Sequence, residues 1–246
     1  MQVAVVVPTY NERENVAPLT EALAALPVVS QVIVVDDASP DGTGDLADTL
    51  ARTTPKLRVL HRAGKLGLGT AYLAGFRAAF ALGADRVLTM DADFSHDPRY
   101  VPDLVAGTAE HDLMIGSRYV PGGGTSRWGL SRRILSRVAN LVAYTSLGLH
   151  ARDCTAGFRC YRRELLERVD LDTIRSNGYS FLVEVLFRCE RAGCRVGETP
   201  IIFANRAHGD SKISRDEIVK AMLMVARLSL ERLRGGSAGR ARTTDS

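Results

Sequence analysis

The sequence predicts an α/β protein whose central sheet is mostly parallel and is flanked by helices. Short apolar runs rich in β-branched residues alternate with stretches whose apolar residues recur at helical spacing. In order, the chain gives a strand at 3–7, helix at 14–26, strand at 32–35, helix at 43–52, strand at 57–60, helix at 68–82 and strand at 86–90. Such alternation is typical of βαβ units, in which consecutive strands lie parallel.

Length and composition fit one main domain with a C-terminal extension. The chain has 246 residues, of which 46% are hydrophobic and 24% charged, so it can bury a sizeable core. We expect the main domain at residues 1–212, an amphipathic helix at 213–234 and a disordered tail at 235–246. The apolar face of that helix is wide enough to pack on the domain, on a partner or on a membrane surface.

Nothing in the sequence predicts export or a membrane span. Pro8 interrupts the first apolar run, and no uncharged run approaches the roughly 18 residues that a span needs. The four cysteines form no CxxC pair, so packed free thiols are favoured over a zinc site. We therefore expect a cytoplasmic protein.

One segment is strongly basic although the whole chain carries a formal net charge of only +4. Residues 117–140 contain no acid, and they contain Arg118, Arg127, Arg132, Arg133 and Arg137. This excess indicates an anionic partner, with phosphate groups favoured because arginine binds them bidentately. Nucleic acid is not expected, since no aromatic or recognition-helix pattern accompanies the arginines.

Acidic residues follow three of the predicted strands. Asp91 and Asp93 come directly after the fourth strand, Asp37 after the second and Glu12 soon after the first. In open α/β sheets, ligands bind beyond the carboxyl ends of the strands. Two carboxylates there suit Mg²⁺ or Mn²⁺ bound to a diphosphate, and a further acid suits ribose hydroxyls; a solvated acidic turn is the alternative.

Basic residues are predicted near the same edge. Arg118 follows a fifth predicted strand at 113–115, which places it to contact a phosphate rather than a surface acid. The stretch KLGLGTA offers a glycine-rich helix start, which is either a phosphate contact or a plain helix start. Arg206 and Lys212 lie in a loop before the last helix and either close over a diphosphate or are solvated.

Seven motifs in order resemble those of glycosyltransferase family 2, and more narrowly of the dolichyl or polyprenyl phosphate mannose synthases. They are VVVPTYNERENV, VVDDASPDGT, KLGLGTAY, MDADFSHDP, GSRYVPGGG, CTAGFRCYR and NRAHGDSK. The resemblance implies a GT-A type nucleotide-diphospho-sugar transferase fold, which is Rossmann-like, with residues 1–212 as the catalytic domain. It also implies GDP-mannose as donor, a polyprenyl phosphate as acceptor and Mg²⁺ or Mn²⁺ as cofactor.

The resemblance also assigns residues. Catalysis would fall to Asp93, Arg118, Arg206 and Lys212. The metal would be held by Asp91, Asp93 and Ser95, although some relatives carry glutamine at the last of these positions. The nucleotide sugar would contact Pro8, Tyr10, Glu12, Val35, Asp37, Asp91, Ala92, Asp93, Arg118, Arg206 and Lys212.

Further expectations concern mechanism and partners. The acceptor phosphate would attack the anomeric carbon in line, with inversion and without a strong general base. Because some members carry C-terminal membrane helices that this sequence lacks, we expect an integral-membrane partner and a position at the cytoplasmic face. Two alternatives stay open: a polyprenyl phosphate glucosyl- or N-acetylglucosaminyltransferase that uses a UDP-sugar, and a non-catalytic nucleotide-sugar-binding subunit.

Overall fold

The computed structural model describes residues 1–205 and 215–240 of the chain. A seven-stranded sheet has the order β3-β2-β1-β4-β7-β5-β8, and β7 runs antiparallel to both of its neighbours while the others run in one direction. Its strands are β1 (Val3–Thr9), β2 (Gln31–Asp36), β3 (Leu57–His61), β4 (Arg86–Thr89), β5 (Leu113–Ser117), β7 (Arg159–Arg162) and β8 (Val196–Pro200). A small parallel pair joins β6 (Gly124–Thr125) to β9 (Ile202–Phe203).

Helices cover both faces of the sheet. They are α1 (Arg13–Ala25), α2 (Thr43–Ala51), α3 (Leu68–Ala81), α4 (Val101–Gly107), α5 (Leu130–Leu147), α6 (Arg163–Arg168), α7 (Tyr179–Arg191) and α8 (Arg215–Arg240). The expected mostly parallel α/β sheet is therefore confirmed. None of the described helices is both long enough and apolar enough to cross a bilayer.

Alternate residues of β1 point into two separate apolar clusters, as the pleat of a strand requires. Ala4 and Val6 face the cluster that contains side chains of α3, α5, α6, α7 and α8. Val3, Val5 and Val7 face the cluster built with α1, α2 and α4. Helix α3 lies so close to β1 that a Cβ at Gly75 would overlap Val6. This close packing fixes where the first turn of α3 meets the edge of the sheet.

The strand order reverses between β1 and β4. The chain adds β2 and β3 on one side of β1 and then places β4 on the other side. In open α/β sheets, a ligand crevice opens at such a switch point, beyond the carboxyl ends of the strands. The acidic residues after β1, β2 and β4 thus share the edge at which a ligand is expected.

The C-terminal region departs from the expected bounds. Helix α8 continues to Arg240, beyond the expected end at residue 234. Residues 241–246 lie outside the described residues, and so do Arg206 and Lys212.

Candidate functional site

Three loops at the switch-point edge hold a non-glycine residue with positive φ. Asn11 follows β1 with φ 59°, Ala38 follows β2 with φ 54°, and Phe94 follows β4 with φ 56°. This left-handed conformation is unfavourable for residues with a Cβ, and strained backbone of this kind clusters at functional sites. The strain therefore marks the same edge as the acidic residues.

Asp91 and Asp93 occupy the loop that follows β4. The Asp91 side chain is 32% exposed, and its Oδ1 accepts a hydrogen bond from the Tyr72 hydroxyl at 3.3 Å. Burial, followed by the nearby Asp91 charge, raises the pKa of Tyr72, so this hydroxyl stays protonated and donates. Asp93 is buried, and its Oδ1 accepts both the backbone N–H of Ser95 at 3.0 Å and the Ser95 hydroxyl at 2.5 Å.

This pair of carboxylates fits a hard divalent cation. Within the described part of the chain, no three His, Cys, Asp or Glu side chains are grouped as a metal cage. Mg²⁺ commonly takes one or two carboxylates and completes its shell with water and substrate phosphate oxygens. A partly exposed Asp91 beside a buried Asp93 suits that mode. Ser95, expected as a third ligand, donates its hydroxyl to Asp93 and fixes that carboxylate; its contact with a metal stays a prediction.

His96 supports the same loop from beneath. Its Nδ1 accepts a hydrogen bond from the backbone N–H of Asp91 at 3.3 Å, and its ring stacks on Phe158 with centroids 5.0 Å apart. Burial lowers the pKa of His96, although the Asp91 and Asp93 charges oppose the shift. The imidazole is therefore neutral near pH 7, with its proton on Nε2.

The acids after β2 make contacts within the protein. Asp37 pairs with Arg62 at 2.6 Å through Oδ1, and its Oδ2 accepts the backbone N–H groups of Leu66 and Gly67, both at 3.1 Å. Asp37 thus holds the turn that leads into α3. The contact of Asp37 with the nucleotide, which the family resemblance implies, stays a prediction, and its carboxylate accepts hydrogen bonds from these protein donors.

Five of the other residues expected to bind nucleotide lie along the same edge: Pro8, Tyr10, Glu12, Val35 and Ala92. Pro8 of β1 is in register with Val35 of β2. Tyr10 lies beneath Lys65, whose Nζ is 4.0 Å from the ring centroid. The Glu12 carboxylate accepts a hydrogen bond from the Asn15 side chain at 2.7 Å. Ala92 is buried between the two aspartates of its motif.

Arg118 forms a buried ion pair with Asp153, a partner that sequence reasoning missed. Its Nη2 and Nε donate to the two carboxylate oxygens at 2.6 and 2.8 Å. Burial raises the pKa of Asp153, but the Arg118 guanidinium outweighs it, so the pKa lies below its ordinary value. The rings of Tyr119, Trp128 and Phe203 surround the guanidinium. Arg118 was expected at this edge as a phosphate contact; it pairs with a carboxylate, and its contact with a phosphate stays a prediction.

Two further sets of contacts were not predicted. A Cβ at Gly157 would lie 3.6 Å from Asp91 Oδ1, so the CTAGF motif passes directly behind that carboxylate. Arg132 of α5 packs 4.1 Å from the Trp128 ring centroid and donates to the Asn205 side chain at 2.9 Å. Asn205 immediately precedes the segment that contains Arg206 and Lys212, so this hydrogen bond joins α5 to the residue before that segment.

Helices α5 and α8 pack together, and the exposed apolar side chains of these two helices are here called the α5–α8 face. Arg232 of α8 donates to the Ser146 carbonyl of α5 at 3.3 Å. Among the side chains of the two helices that the structure describes, the exposed large hydrophobic ones are Leu130, Ile134, Leu135, Val138, Leu141, Val142, Tyr144, Val219, Met222, Leu223, Leu230 and Leu233. Exposed apolar surface of this kind marks a protein or membrane interaction site.

The four cysteines are free thiols, as expected, and three of them are buried. Burial raises the pKa of Cys154 and of Cys160 to about 12. These thiols are therefore protonated and unreactive near neutral pH.

Comparison with known proteins identifies relatives along nearly the whole chain. The model of the family described as glycosyl transferase family 2 matches residues 4–170. An undecaprenyl-phosphate mannosyltransferase of Micrococcus luteus is 46% identical over 230 residues, which cover 94% of this chain and 95% of the relative. A polyprenol monophosphomannose synthase of Mycolicibacterium smegmatis is also 46% identical, over 94% of this chain and 89% of the relative.

Solved structures share the fold at lower identity. Glucosyl-3-phosphoglycerate synthase from Mycobacterium tuberculosis, in complex with Mn²⁺, UDP and glucosyl-3-phosphoglycerate, superposes with a TM-score of 0.65 at 22% identity. The superposition covers 92% of this chain and 80% of that one. A second structure of the same synthase, with Mg²⁺ and UDP, gives a TM-score of 0.64 at 22% identity, over 92% of this chain and 79% of that one.

Proposed function

The chain belongs to glycosyl transferase family 2, and from this premise we propose that it transfers mannose from GDP-mannose to a polyprenyl phosphate, with inversion at the anomeric carbon. It is a glycosyltransferase of the GT-A fold. Two relatives at 46% identity, named as an undecaprenyl-phosphate mannosyltransferase and a polyprenol monophosphomannose synthase, support mannose as the sugar and a polyprenyl phosphate as the acceptor. GDP as the leaving group and inversion are the finer parts of the proposal.

One observation carries the assignment of the site. The partly exposed carboxylate of Asp91 stands beside the buried, serine-held carboxylate of Asp93 at the switch-point edge. We assign both to a divalent cation, Mg²⁺ or Mn²⁺, which when bound would neutralise charge on the leaving diphosphate. Tyr72 and Ser95 donate hydrogen bonds to these two carboxylates, and His96 accepts the backbone N–H of Asp91.

The acceptor supplies its own nucleophile. A phosphate monoester is already largely anionic near pH 7, so an oxygen of the lipid phosphate attacks the anomeric carbon as GDP departs from the opposite face. The role of the protein is then to align the two substrates and to stabilise the developing charge. No carboxylate base is required for this step.

Cationic side chains complete the proposed site. Arg206 and Lys212 stay proposed phosphate ligands outside the described residues. Because Arg118 is paired with Asp153, we propose that it contributes N–H donors to the site rather than a full positive charge. Ser95 is assigned to the support of Asp93, in place of a direct role on the metal.

A lipid acceptor also gives the α5–α8 face a role. Its apolar side chains are exposed on α5 beside Arg132, Arg133 and Arg137. An apolar surface flanked by arginines suits a membrane interface with anionic headgroups. We propose that this face rests on the cytoplasmic side of the membrane, where an integral-membrane partner contributes to its attachment.

The test uses purified protein, labelled GDP-mannose, polyprenyl phosphate and Mn²⁺ or Mg²⁺, followed by extraction of labelled lipid into organic solvent. We expect label in the extract that EDTA abolishes, and an axial-to-equatorial change at the anomeric carbon by NMR. If lipid is labelled from UDP-glucose or UDP-N-acetylglucosamine and not from GDP-mannose, the donor is a UDP-sugar. Tight donor binding without turnover would favour the non-catalytic subunit.

A further inference from the structure

Helix α7 and the residues before it pack directly against the candidate site. A Cβ at Gly67 would lie 3.9 Å from the Asn177 side-chain oxygen, and a Cβ at Gly69 would lie 2.7 Å from the Phe181 ring. Phe181 also stacks on Tyr72, with centroids 6.1 Å apart. Residues 66–69, here called the glycine turn, are therefore held between Asp37 on one side and residues 177–181 on the other.

A single buried carboxylate links this packing to the last helix. Glu184 of α7 has no exposed side-chain surface. Its Oε2 accepts the backbone N–H of Ser176 at 3.1 Å and the Ser176 hydroxyl at 2.5 Å. Its Oε1 pairs with Arg227 of α8 at 2.7 Å and with Arg188 at 3.2 Å. One oxygen thus holds the residue beside Asn177, while the other holds α8.

The surroundings of Glu184 keep it charged. Burial raises the pKa of Glu184, but the Ser176 hydrogen bond and the Arg227 charge together lower it below its ordinary value. Ser176 and Arg188 donate hydrogen bonds to this carboxylate, and Arg227 forms an ion pair with it. A glutamine there presents an NH₂ group to one of these donors, so either Ser176 or the arginines lose their acceptor.

From this geometry we infer that Glu184 is a positioning residue for the sugar nucleotide. It fixes Ser176 and Asn177 beside the glycine turn, and through that turn it sets the donor side of the crevice at the switch-point edge. The inference rests on the proposed assignment of this edge as the sugar-nucleotide site. It predicts weaker donor binding when the contact with Ser176 is lost, even where the ion pairs between α7 and α8 remain.

The chain offers a matched control on the same two helices. Glu231 of α8 pairs with Arg188 of α7 at 3.2 Å and is 38% exposed. Its described contacts are with Arg188 and Arg191. Glu231→Gln therefore removes a charge between α7 and α8 without removing an acceptor from Ser176.

The experiment measures the dissociation constant of GDP with Mn²⁺ by calorimetry and the KM and kcat for GDP-mannose, on the full-length wild type and three variants. For Glu184→Gln and Ser176→Ala we expect the GDP dissociation constant and the KM to rise about tenfold, with kcat within about threefold. Glu231→Gln should leave all three constants unchanged. A purely structural role lowers the folded fraction and the melting temperature, but it leaves the dissociation constant of the folded molecules unaltered.

The outcomes separate this inference from the proposed function. Unchanged GDP affinity in Ser176→Ala, or an equal loss in Glu231→Gln, overturns the positioning role whatever the enzyme transfers. If Glu184→Gln fails to fold, Ser176→Ala decides alone. A wild type that binds GDP but yields no mannolipid overturns the proposed function, while weaker GDP binding in Ser176→Ala still supports the positioning role.

Discussion

Two aspartates lie at the carboxyl end of β2 and two at the carboxyl end of β4, but the two pairs differ in their contacts and in their exposure. After β2, Asp36 accepts from Thr9 and Ser39, while Asp37 accepts from Arg62 and from two backbone N–H groups. After β4, Asp93 is held by Ser95, but Asp91 keeps 32% of its side chain exposed. The acids after β2 are built into the loops, whereas Asp91 reaches the crevice.

This difference in contacts indicates which of the acids is open to a ligand. When protein donors occupy both oxygen atoms of a carboxylate, as at Asp36 and Asp37, they stabilise its charged form and fix a loop, but they leave few lone pairs for a ligand. A carboxylate with one weak neutral donor keeps oxygen atoms for a cation. Functional acids at such an edge are therefore separated from structural ones by their partners, and not by the motif that contains them.

Among these substitutions, Asp91→Asn should have the largest effect on catalysis. We expect kcat to fall by about a thousandfold or more, because a cation site loses half of its carboxylates. The melting temperature should change little, since Asp91 is partly exposed. Asp103→Asn, at an exposed carboxylate in the first turn of α4, serves as the control and should keep full activity. A variant at Asp91 with near-normal turnover contradicts the metal assignment.

Asp37→Asn tests whether the acid after β2 stabilises the folded protein. Removing one partner of a buried ion pair leaves Arg62 uncompensated, so we expect the free energy of unfolding to fall by about 3 kcal/mol. Urea denaturation of purified protein measures this loss. Asp48→Asn removes the exposed pair with His61 and should cost less than about 1 kcal/mol. Equal losses in the two variants would mean that the Asp37 pair is not structural.

Ser95→Ala and Ser39→Ala compare the loop after β4 with the loop after β2, because each serine donates its backbone N–H and its hydroxyl to an aspartate. We expect Ser95→Ala to weaken Mn²⁺ affinity or kcat about tenfold, as loss of support behind a metal ligand does. Ser39→Ala should lower the melting temperature while kcat changes less than about twofold. Manganese titration of the rate measures the first effect. Reversed effects would assign the ligand site to Asp36.

The sequence predicted the first half of the fold well and the second half poorly. Strands at 3–7, 32–35, 57–60 and 86–90 were predicted because buried parallel strands are short and uniformly apolar. The bounds of α5 and α7 were not predicted, since α5 exposes apolar residues that a regular amphipathic pattern would hide. Strand β7 inserts between β4 and β5, and such long-range pairing leaves no local signal.

The candidate site shows the same division. The edge that carries Asp91 and Asp93 followed from strand ends and local motifs, which the sequence contains directly. The sequence did not predict the partners of Arg118, Asp37 and Glu184. Each partner lies about eight to forty residues away along the chain and comes into contact only after folding. A motif predicts where an acid lies, and only the tertiary structure decides what it contacts.

Tyr72→Phe gives the smallest and most specific effect. The hydroxyl donates to Asp91 at 3.3 Å, a long hydrogen bond, so its loss should lower kcat only about threefold. The ring keeps its stacking on Phe76 and Phe181, and the melting temperature should hold within about two degrees. Steady-state kinetics at saturating donor and acceptor measure the rate. A loss as large as that of Asp91→Asn would mean that the hydroxyl contacts the reacting groups directly, whereas a threefold loss would confirm that Tyr72 supports Asp91 only through a weak hydrogen bond.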